Sequence, residues 1–362
     1  LNDDLDHHLI HEQPTAIFVG ELPRTYAQVP APVVVNLCGV YPPVQPPVRT
    51  VLTIGNFDGV HLGHREIFRR VVDKARELDG TSAVVTFEPH PLRFLAPEKA
   101  PLRLNTPEEK VRLLGASCID ILVVLHFDRQ LAEMPAEAFV RDILVGKLGV
   151  RHLIVGYDYA FGRDRQGDTS FLAAQAEIHG FTLEVLEPIR AEQQAHSSTM
   201  IRNALREGRV AEAVKVLGRN FTLDGEVVHG EGRGRKLGFP TANLETEKEI
   251  LPRDGVYAVK VKWHEKYFDA VINIGRRPTF DNCPPTLEIH LMNFEGDLYG
   301  ERLRIYFVDR LRDEQRFPTV EALQSAVLND IALARELLSA AHVVEYREYL
   351  DCGYPADQCG DK

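Results

Sequence analysis

The sequence predicts a two-part α/β architecture: a parallel sheet with helices on both faces, then a small antiparallel β-barrel with a C-terminal helix. Three observations carry this. Between residue 50 and about 218, short apolar runs alternate with stretches of helical periodicity, the pattern of a parallel sheet with crossover helices. The stretches 221–228, 255–263, 267–274, 286–294 and 300–308 are β-rich and are split by Gly, Pro, Asn and Asp, with no long helical stripe among them. Such a run suits a compact barrel. A helical stripe then occupies 319–340. A chain of 362 residues has room for two domains of roughly 100–200 residues each.

The elements follow in order. Val51-Leu52-Thr53-Ile54 is a buried strand, and Ile67, Val71, Ala75 and Leu78 mark one face of the helix after it. Ser82 to Phe87 is the next strand. Thr106-Pro107-Glu108-Glu109 announces a helix, with Thr as N-cap, Pro in the first turn and Glu three residues after the cap. Ile121 to Leu125 is a strand, Pro135 opens a helix, and Leu153 to Val155 is a strand. Thr169 to His179 is helical and stops at Gly180, and Phe181 to Leu186 is a strand. The expected division is a Pro-rich extension over 1–49, a first domain over 50–219, a second over 220–345 and a tail over 346–362. Residues 13–49 hold eight prolines, including P-P-V-Q-P-P at 42–47, which favours extended chain over helix.

Composition narrows the function. Lys plus Arg number 42 and Asp plus Glu 53, a formal charge of −11. That argues against a general nucleic-acid binder, which would show a basic face, but leaves room for a local phosphate site. No apolar run reaches the ~20 residues that span a bilayer. The cysteines at 38, 118, 283, 352 and 359 are scattered and contain no C-x-x-C pair, so neither a disulfide framework nor a zinc site is expected. Residues 1–12 lack the basic and apolar regions of a signal peptide. The expectation is a reduced, cytoplasmic protein, monomeric or weakly homo-oligomeric, acting on small molecules.

Two constellations carry chemistry. In the first, Gly55-Asn56-Phe57-Asp58-Gly59-Val60-His61-Leu62-Gly63-His64 follows the first strand and opens the first helix. Ligands of parallel sheets sit at the carboxyl ends of strands, and a helix N-terminus offers free N–H groups to phosphate. Gly55 and Gly59 would let backbone approach a ligand. His61 and His64, three apart, share a helical face. Ser197-Ser198-Thr199-Met200-Ile201-Arg202 begins another helix with hydroxyls and has a guanidinium one turn in. It is either a second phosphate corner or a plain N-cap.

In the second, glycines at 230, 232, 234 and 238 are interspersed with Arg233, Arg235 and Lys236. This makes either a phosphate-covering loop or a solvated basic turn. It is not a P-loop, for the G-K-[ST] ending is absent. Alternation puts Thr241 and Asn243 on one side of an extended chain, where a hydroxyl and an amide oxygen could share a hard cation. Glu288 and His290 share a strand face. A carboxylate at a barrel mouth would serve as the general base that a neutral alcohol requires; the plain alternative is an exposed strand face.

Taken together these runs resemble the bacterial bifunctional riboflavin kinase/FMN adenylyltransferases, or FAD synthetases. The first half is similar to their Rossmann-like nucleotidyltransferase module through 55–64, T-F-E-P-H-P at 86–91, V-G-Y-D-Y-A-F-G at 155–162 and S-S-T-M-I-R at 197–202. The second is similar to the riboflavin kinase module through G-R-K-L-G-F-P-T-A-N-L at 234–244, D-G-V-Y-A-V at 254–259, N-I-G-R-R-P-T-F at 273–280, L-E-I-H-L at 287–291, D-L-Y-G at 297–300 and R-D-E-Q-R-F at 312–317. The resemblance implies that His61, His64, Ser198, Thr199 and Arg202 handle ATP phosphates. Gly55, Asn56, Phe57, Asp58, Gly59, Phe87, Asp158 and Ser197 would line the flavin and nucleotide site. In the barrel, Thr241 and Asn243 would hold Mg²⁺ with ATP, and Glu288 would deprotonate the ribityl hydroxyl. Gly230, Gly232, Arg235, Gly238, Pro240 and Arg277 would lie against the substrates. Riboflavin would become FMN in the barrel and FMN would become FAD in the first domain. A nucleotidyltransferase for another phosphorylated small molecule would leave 225–317 idle. A non-catalytic flavin binder would be expected to lack His61, His64 or Glu288.

Overall fold

The structure is a computed structural model. It describes residues 33–37, 49–187, 190–191, 194–195, 197–230, 234, 238–275 and 285–344. Six strands form the first sheet: β1 (Val33–Leu37), β2 (Thr50–Ile54), β3 (Ser82–Glu88), β4 (Ile121–His126), β5 (Val150–Gly156) and β6 (Thr182–Leu186). Their order is β1-β4-β3-β2-β5-β6, and every pairing is parallel. Between them run α1 (Leu62–Glu77), α2 (Pro91–Leu95), α3 (Pro107–Gly115), α4 (Arg129–Ala132), α5 (Ala136–Ala138) and α6 (Thr169–His179). Every residue of β2 is buried, as a parallel strand covered on both faces must be. Leu52 and Ile54 pack into one layer with Val85, Phe139 and Leu153, while Val51 packs into the opposite layer with Phe68, Val71 and Leu113.

The chain builds outward from β2 through β3 to β4, then returns to β2's other side with β5 and β6. The order therefore reverses between β2 and β5, and the crevice beyond their carboxyl ends is the expected ligand position. Residues 55–61 and 157–159 lie at those ends.

Local signals work as the sequence implies. Thr106 and Glu109 form a reciprocal capping box at the start of α3. Asp168 caps α6, and Gly180 ends it in the left-handed conformation. Two features differ. The helix opened by Pro135 widens into π-helical turns over Phe139–Lys147, with Leu148 N–H donating to the Ile143 carbonyl at 3.0 Å. And β1, inside the segment assigned to the extension, pairs with β4 from Val33↔Ile121 to Leu37↔Leu125. It contains no proline and takes an edge position, where neighbouring prolines are tolerated.

A short hairpin, β7 (Arg190–Ala191) with β8 (Gln194–Ala195), precedes α7 (Ser198–Arg206) and α8 (Val210–Leu217). The second half is a closed antiparallel barrel, β10-β13-β12-β11-β14-β9. Its strands are β9 (Thr222–Val228), β10 (Ala242–Glu245), β11 (Gly255–Trp263), β12 (Lys266–Gly275), β13 (Thr286–Leu291) and β14 (Arg302–Arg312). Helix α9 (Val320–Ser339) covers β11, β12 and β14 from outside, through Ile331, Ala334 and Leu338.

The two halves share one apolar core. Leu104 and residues of α7 and α8 (Ile201, Leu205, Ala213, Leu217) cluster with the barrel interior (Leu223, Val259, Ile272, Ile289, Phe307). Polar contacts on α3 reinforce the junction. Lys248 donates to Glu109 at 2.5 Å with both side chains 1% exposed, and Arg112 and Arg304 each approach Asp224 to 2.7 Å. Burial opposes ionisation of Asp224, yet the Arg304 and Arg112 guanidiniums hold it down to about 2. Burial lowers the pKa of the Lys248 ammonium, and Glu109 opposes that shift.

Removing one partner of a buried pair leaves an uncompensated charge. Lys248→Met is expected to destabilise the chain by about 3–5 kcal/mol, and Glu109→Gln in the same chain should restore a large part of that. Urea unfolding of the variants measures both. A Lys248→Met loss below about 0.5 kcal/mol, the scale of ordinary surface changes, would contradict the assigned role.

Candidate active sites

The first site grows from the turn between β2 and α1. Phe57, Gly59 and Val60 have φ of 45°, 84° and 40°, so the chain passes through left-handed conformation three times in four residues. His61 then caps α1, its Nδ1 accepting from His64 N–H at 3.4 Å. The two imidazoles stack with centroids 3.6 Å apart and planes at 19°, as their spacing predicts. Phe57 packs edge-on against His64 at 5.2 Å. Nδ1 of His64 is shut off from solvent and has no hydrogen-bond partner among the described residues. Burial, followed by the positive charges of His61, Lys110 and Arg219, holds this imidazole well below its usual pKa. It is neutral at pH 7.

Four carbonyls of the turn are taken by side chains from β3, α3, α7 and the link after α8. Lys110 and Thr86 donate to Asn56 O at 2.9 and 3.3 Å. Ser198 donates to Asp58 O at 2.8 Å, and Arg219 to Gly59 O and Val60 O at 2.8 and 3.0 Å. Among the described residues, no protein acceptor takes the N–H groups of Asn56, Phe57, Asp58 or Gly59. A turn with pinned carbonyls and consecutive free N–H groups, running into a helix N-terminus, is a built anion cradle.

Several expected ligand-facing residues do other work. The Asp58 carboxylate is buried and accepts from Leu104 N–H at 3.0 Å, from Asn105 N–H at 3.3 Å and from the Arg202 guanidinium. Arg202 also donates to Leu102 O at 2.8 Å. A buried guanidinium requires a counter-charge, so Arg202 is first a strut beneath the turn, and only its Nη1 lacks a protein acceptor among the described residues. The Phe57 ring lies in the core between His64 and Phe68. A Cβ on Gly55 would meet that ring at 2.9 Å, and one on Gly59 would meet Leu104 at 2.7 Å. These glycines serve the turn's own packing before any ligand. Ser197 is the N-cap of α7, accepting from Met200 N–H at 3.3 Å. Thr199 is exposed. Asp158 is exposed across the crevice from the turn, at the end of β5. Phe87, at the end of β3, starts an edge-to-face series through Phe127 to Phe94.

Sequence reasoning missed Lys110, Thr86 and Arg219. Lys110 reads as an ordinary helix lysine, and Thr86 as a β-branched strand residue. Only the tertiary fold brings them to the turn. Burial lowers the pKa of the Lys110 ammonium, with Asp58 and Glu88 opposing the shift.

The second site lies on the barrel wall. Asn243 of β10 pairs with Glu288 of β13, and Glu288 pairs with Asn273 of β12. Three polar side chains thus form a row across neighbouring strands. Leu287, Ile289 and Leu291 point inward and are buried, while Glu288 and His290 are half-buried on the other face. This corrects the expected position at the barrel mouth. The interior of a six-stranded barrel is filled by apolar side chains, which leaves the outer face for a carboxylate. Glu288 makes no side-chain bond with a described residue. His290 contacts Pro240 O through Nδ1 at 2.9 Å and meets Phe239 edge-on.

Gly230 and Gly234 come close to Asn243 and Thr241. A Cβ on Gly230 would fall 1.8 Å from Asn243 Nδ2, and one on Gly234 would fall 2.8 Å from Thr241 Oγ1. Gly238 has φ 87°. Gly232, Arg235 and Arg277 fall outside the described residues. Among the described residues no cluster of three His, Cys, Asp or Glu could hold a metal. A cation here would rest on the neutral Thr241 and Asn243 oxygens and on ligand oxygens, a donor set that suits Mg²⁺.

Each half of the chain matches a known family. The family model described as FAD synthetase matches residues 45–200, and that described as riboflavin kinase matches 217–338. The bifunctional riboflavin kinase/FMN adenylyltransferase of Pseudomonas fluorescens is 43% identical over 294 residues, 81% of this chain and 94% of the relative. That of Escherichia coli K12 is 39% identical over 287 residues, 79% and 92% of the two chains. A crystal structure described as a macrolide-efflux protein from Streptococcus pneumoniae superposes with a TM-score of 0.71 at 32% identity, covering 80% of this chain and 94% of that one. No helix among the described residues is long and apolar enough to cross a membrane. With a flavin-nucleotide module in the first half and a flavin-phosphorylating module in the second, the chain belongs to the family of bifunctional riboflavin kinase/FMN adenylyltransferases.

Proposed function

We propose that the turn 55–61 and the start of α1 bind the triphosphate of ATP for transfer of AMP to FMN, and that Glu288 is the base that activates riboflavin on the barrel wall. The observation that carries the first assignment is the pair of stacked imidazoles beside four N–H groups that meet no acceptor among the described residues. Register carries the second, by setting Asn243 directly opposite Glu288.

The two reactions ask for different residues. FMN brings a phosphate already ionised at neutral pH, so its attack on the α-phosphate of ATP needs no base. It needs alignment and neutralisation of the charge that builds on the α-phosphate and the departing pyrophosphate. The N–H groups of the turn, His61, His64, Thr199 and the Nη1 of Arg202 serve that need. Phe87 and Asp158 face the flavin side of the same crevice. Riboflavin instead brings a neutral ribityl hydroxyl. Glu288 takes its proton as the oxygen attacks the γ-phosphate of ATP, and ADP leaves. Thr241 and Asn243 would hold Mg²⁺, which when bound supplies positive charge to the ATP phosphates. Gly230, Gly238 and Pro240 shape the cover over the nucleotide, with Gly232, Arg235 and Arg277 assigned to the same cover by sequence alone. The same reading has the chain act in the cytoplasm as a monomer or weak homo-oligomer without a nucleic-acid partner, in keeping with its charge of −11.

Separate sites have separable variants. Glu288→Gln should cut FMN formation from riboflavin by roughly 10²–10⁴-fold and leave FAD formation from supplied FMN near the wild-type rate. His64→Ala should do the reverse, with FAD output down by about 10²–10³-fold. Chromatography of flavins after incubation with ATP and Mg²⁺ reads both, and equal loss of both products in either variant would refute the division. For the metal, Asn243→Ala should raise the Mg²⁺ concentration needed for half-maximal FMN formation on the order of ten- to a hundredfold. An unchanged Mg²⁺ titration would remove Asn243 from that role. The depressed His64 pKa gives a third test. The triphosphate favours the charged imidazole, so bound His64 titrates higher than free His64. Between the two values ATP binding takes up protons, and affinity strengthens as pH falls toward the free value. Calorimetry near pH 6.5 in two buffers of different ionisation enthalpy should show this uptake in the wild type and a smaller one in His64→Asn. Equal uptake in the two proteins would count against His64.

A further inference from the structure

We propose that Arg219, which lies in the stretch matched by the riboflavin kinase family model, is a positioning residue for the other reaction, adenylyl transfer, by holding the turn that aims His61. The proposal rests on the reading of 55–64 as the ATP-phosphate site. Arg219 is buried. It follows Gly218, which ends α8 in the left-handed conformation. The next two residues are tied to the barrel: Asn220 donates to Phe307 O at 2.9 Å and accepts from Val344 N–H at 3.1 Å, and Phe221 is in the core. From that anchorage the guanidinium reaches back across the module junction. It bonds Gly59 O and Val60 O at 2.8 and 3.0 Å.

Those two carbonyls belong to the least favourable stretch of the turn. Gly59 and Val60 are successive left-handed residues, with φ of 84° and 40°. Glycine tolerates that conformation, whereas a β-branched valine is strained there and stays only when its surroundings enforce it. A planar guanidinium presents donors in a fixed fork that can span two neighbouring carbonyls, which an ammonium cannot match. His61 is the next residue, and its own backbone leaves the turn to start α1. Relaxation at Val60 would therefore move His61, and with it the His64 ring stacked on it. Misplacement of a catalytic constellation by ~1 Å costs about a hundredfold in rate. Among the described residues no hydrogen bond links Asn243, Glu288 or Asn273, on the outer wall of the barrel, to this turn. FAD formation thus depends on a residue supplied from the start of the kinase module, and FMN formation does not depend on that residue's bonds to the turn.

The test uses full-length Arg219→Met, Arg219→Lys and, in parallel, His64→Ala, each assayed for FAD formation from FMN and for FMN formation from riboflavin. In Arg219→Met, kcat for FAD formation should fall about 30–100-fold, while FMN formation stays within about twofold of wild type. Arg219→Lys, able to reach one carbonyl, should recover at least about a third of the loss on a logarithmic scale. The proposal is overturned if Arg219→Met makes FAD within about threefold of the wild-type rate, or if both activities fall in proportion, the mark of a merely structural residue. The ratio of the two activities decides even for a variant of lowered stability, and Arg219→Lys supplies it if Arg219→Met does not fold. If His64→Ala keeps full FAD formation, the placement of the ATP site is what fails. If it loses FAD formation while Arg219→Met does not, the role of Arg219 alone is lost.

Discussion

The buried pair of Asp58 and Arg202 is the constraint on which the first site depends. Asp58 sits in the turn after β2, and Arg202 sits in α7, 144 residues later. Their carboxylate and guanidinium are shut off from water, where each alone would be costly. Each therefore fixes the other, and each brings further backbone with it. Asp58 gathers the N–H groups of Leu104 and Asn105, and Arg202 gathers the carbonyl of Leu102. The start of α7, with Ser198 and Thr199, is thereby locked beside the turn. Four carbonyls of the cradle are satisfied from other elements, while its N–H groups at 56–59 meet no acceptor among the described residues.

Under the proposed assignment, the two sites differ because their nucleophiles differ. An ionised phosphate attacking a triphosphate is a problem of like charges, and it is answered by donors and cations. The turn is surrounded by them: Lys110, Arg202 and Arg219 all bond within it. An alcohol is a problem of a proton, and under the proposed assignment it is answered by the Glu288 carboxylate, which no cation among the described residues bonds and which lies between two asparagines in register. The acidic surface of the whole chain does not enter either account, since fields over a few ångströms are set by the nearest groups.

Much of the fold was legible because the signals are local. Thr106 with Glu109, the stop at Gly180, and the alternation of Thr286 to Leu291 each act within a turn or a strand, and each was readable from spacing. The stacking of His61 on His64 was readable for the same reason. What was not legible needed tertiary information. Alternation gives Glu288 two possible faces but does not say which is inside, and only barrel closure decides. Asp58 and Arg202 look like two ligand-facing charges until the fold brings them together. Lys110 carries no local mark at all. Strand β1 was hidden by the prolines around it, although none lies within it.

Helix α3 explains why the junction between the modules and the first site cannot be treated apart. Three residues in four positions leave it in three directions. Glu109 completes the capping box that starts the helix and also meets Lys248 from the barrel side. Lys110, about 100° further round the helix, reaches Asn56 in the turn. Arg112 reaches Asp224 on β9. The capping box fixes where the helix begins, so it also fixes the phase at which these three side chains emerge. A slip of one residue would withdraw the ammonium from the turn and both charges from the barrel together. The local chemistry of Thr-Pro-Glu-Glu, four residues that any reader of sequence would assign to a helix start, thus sets the spacing between the turn after β2 and the barrel beside it.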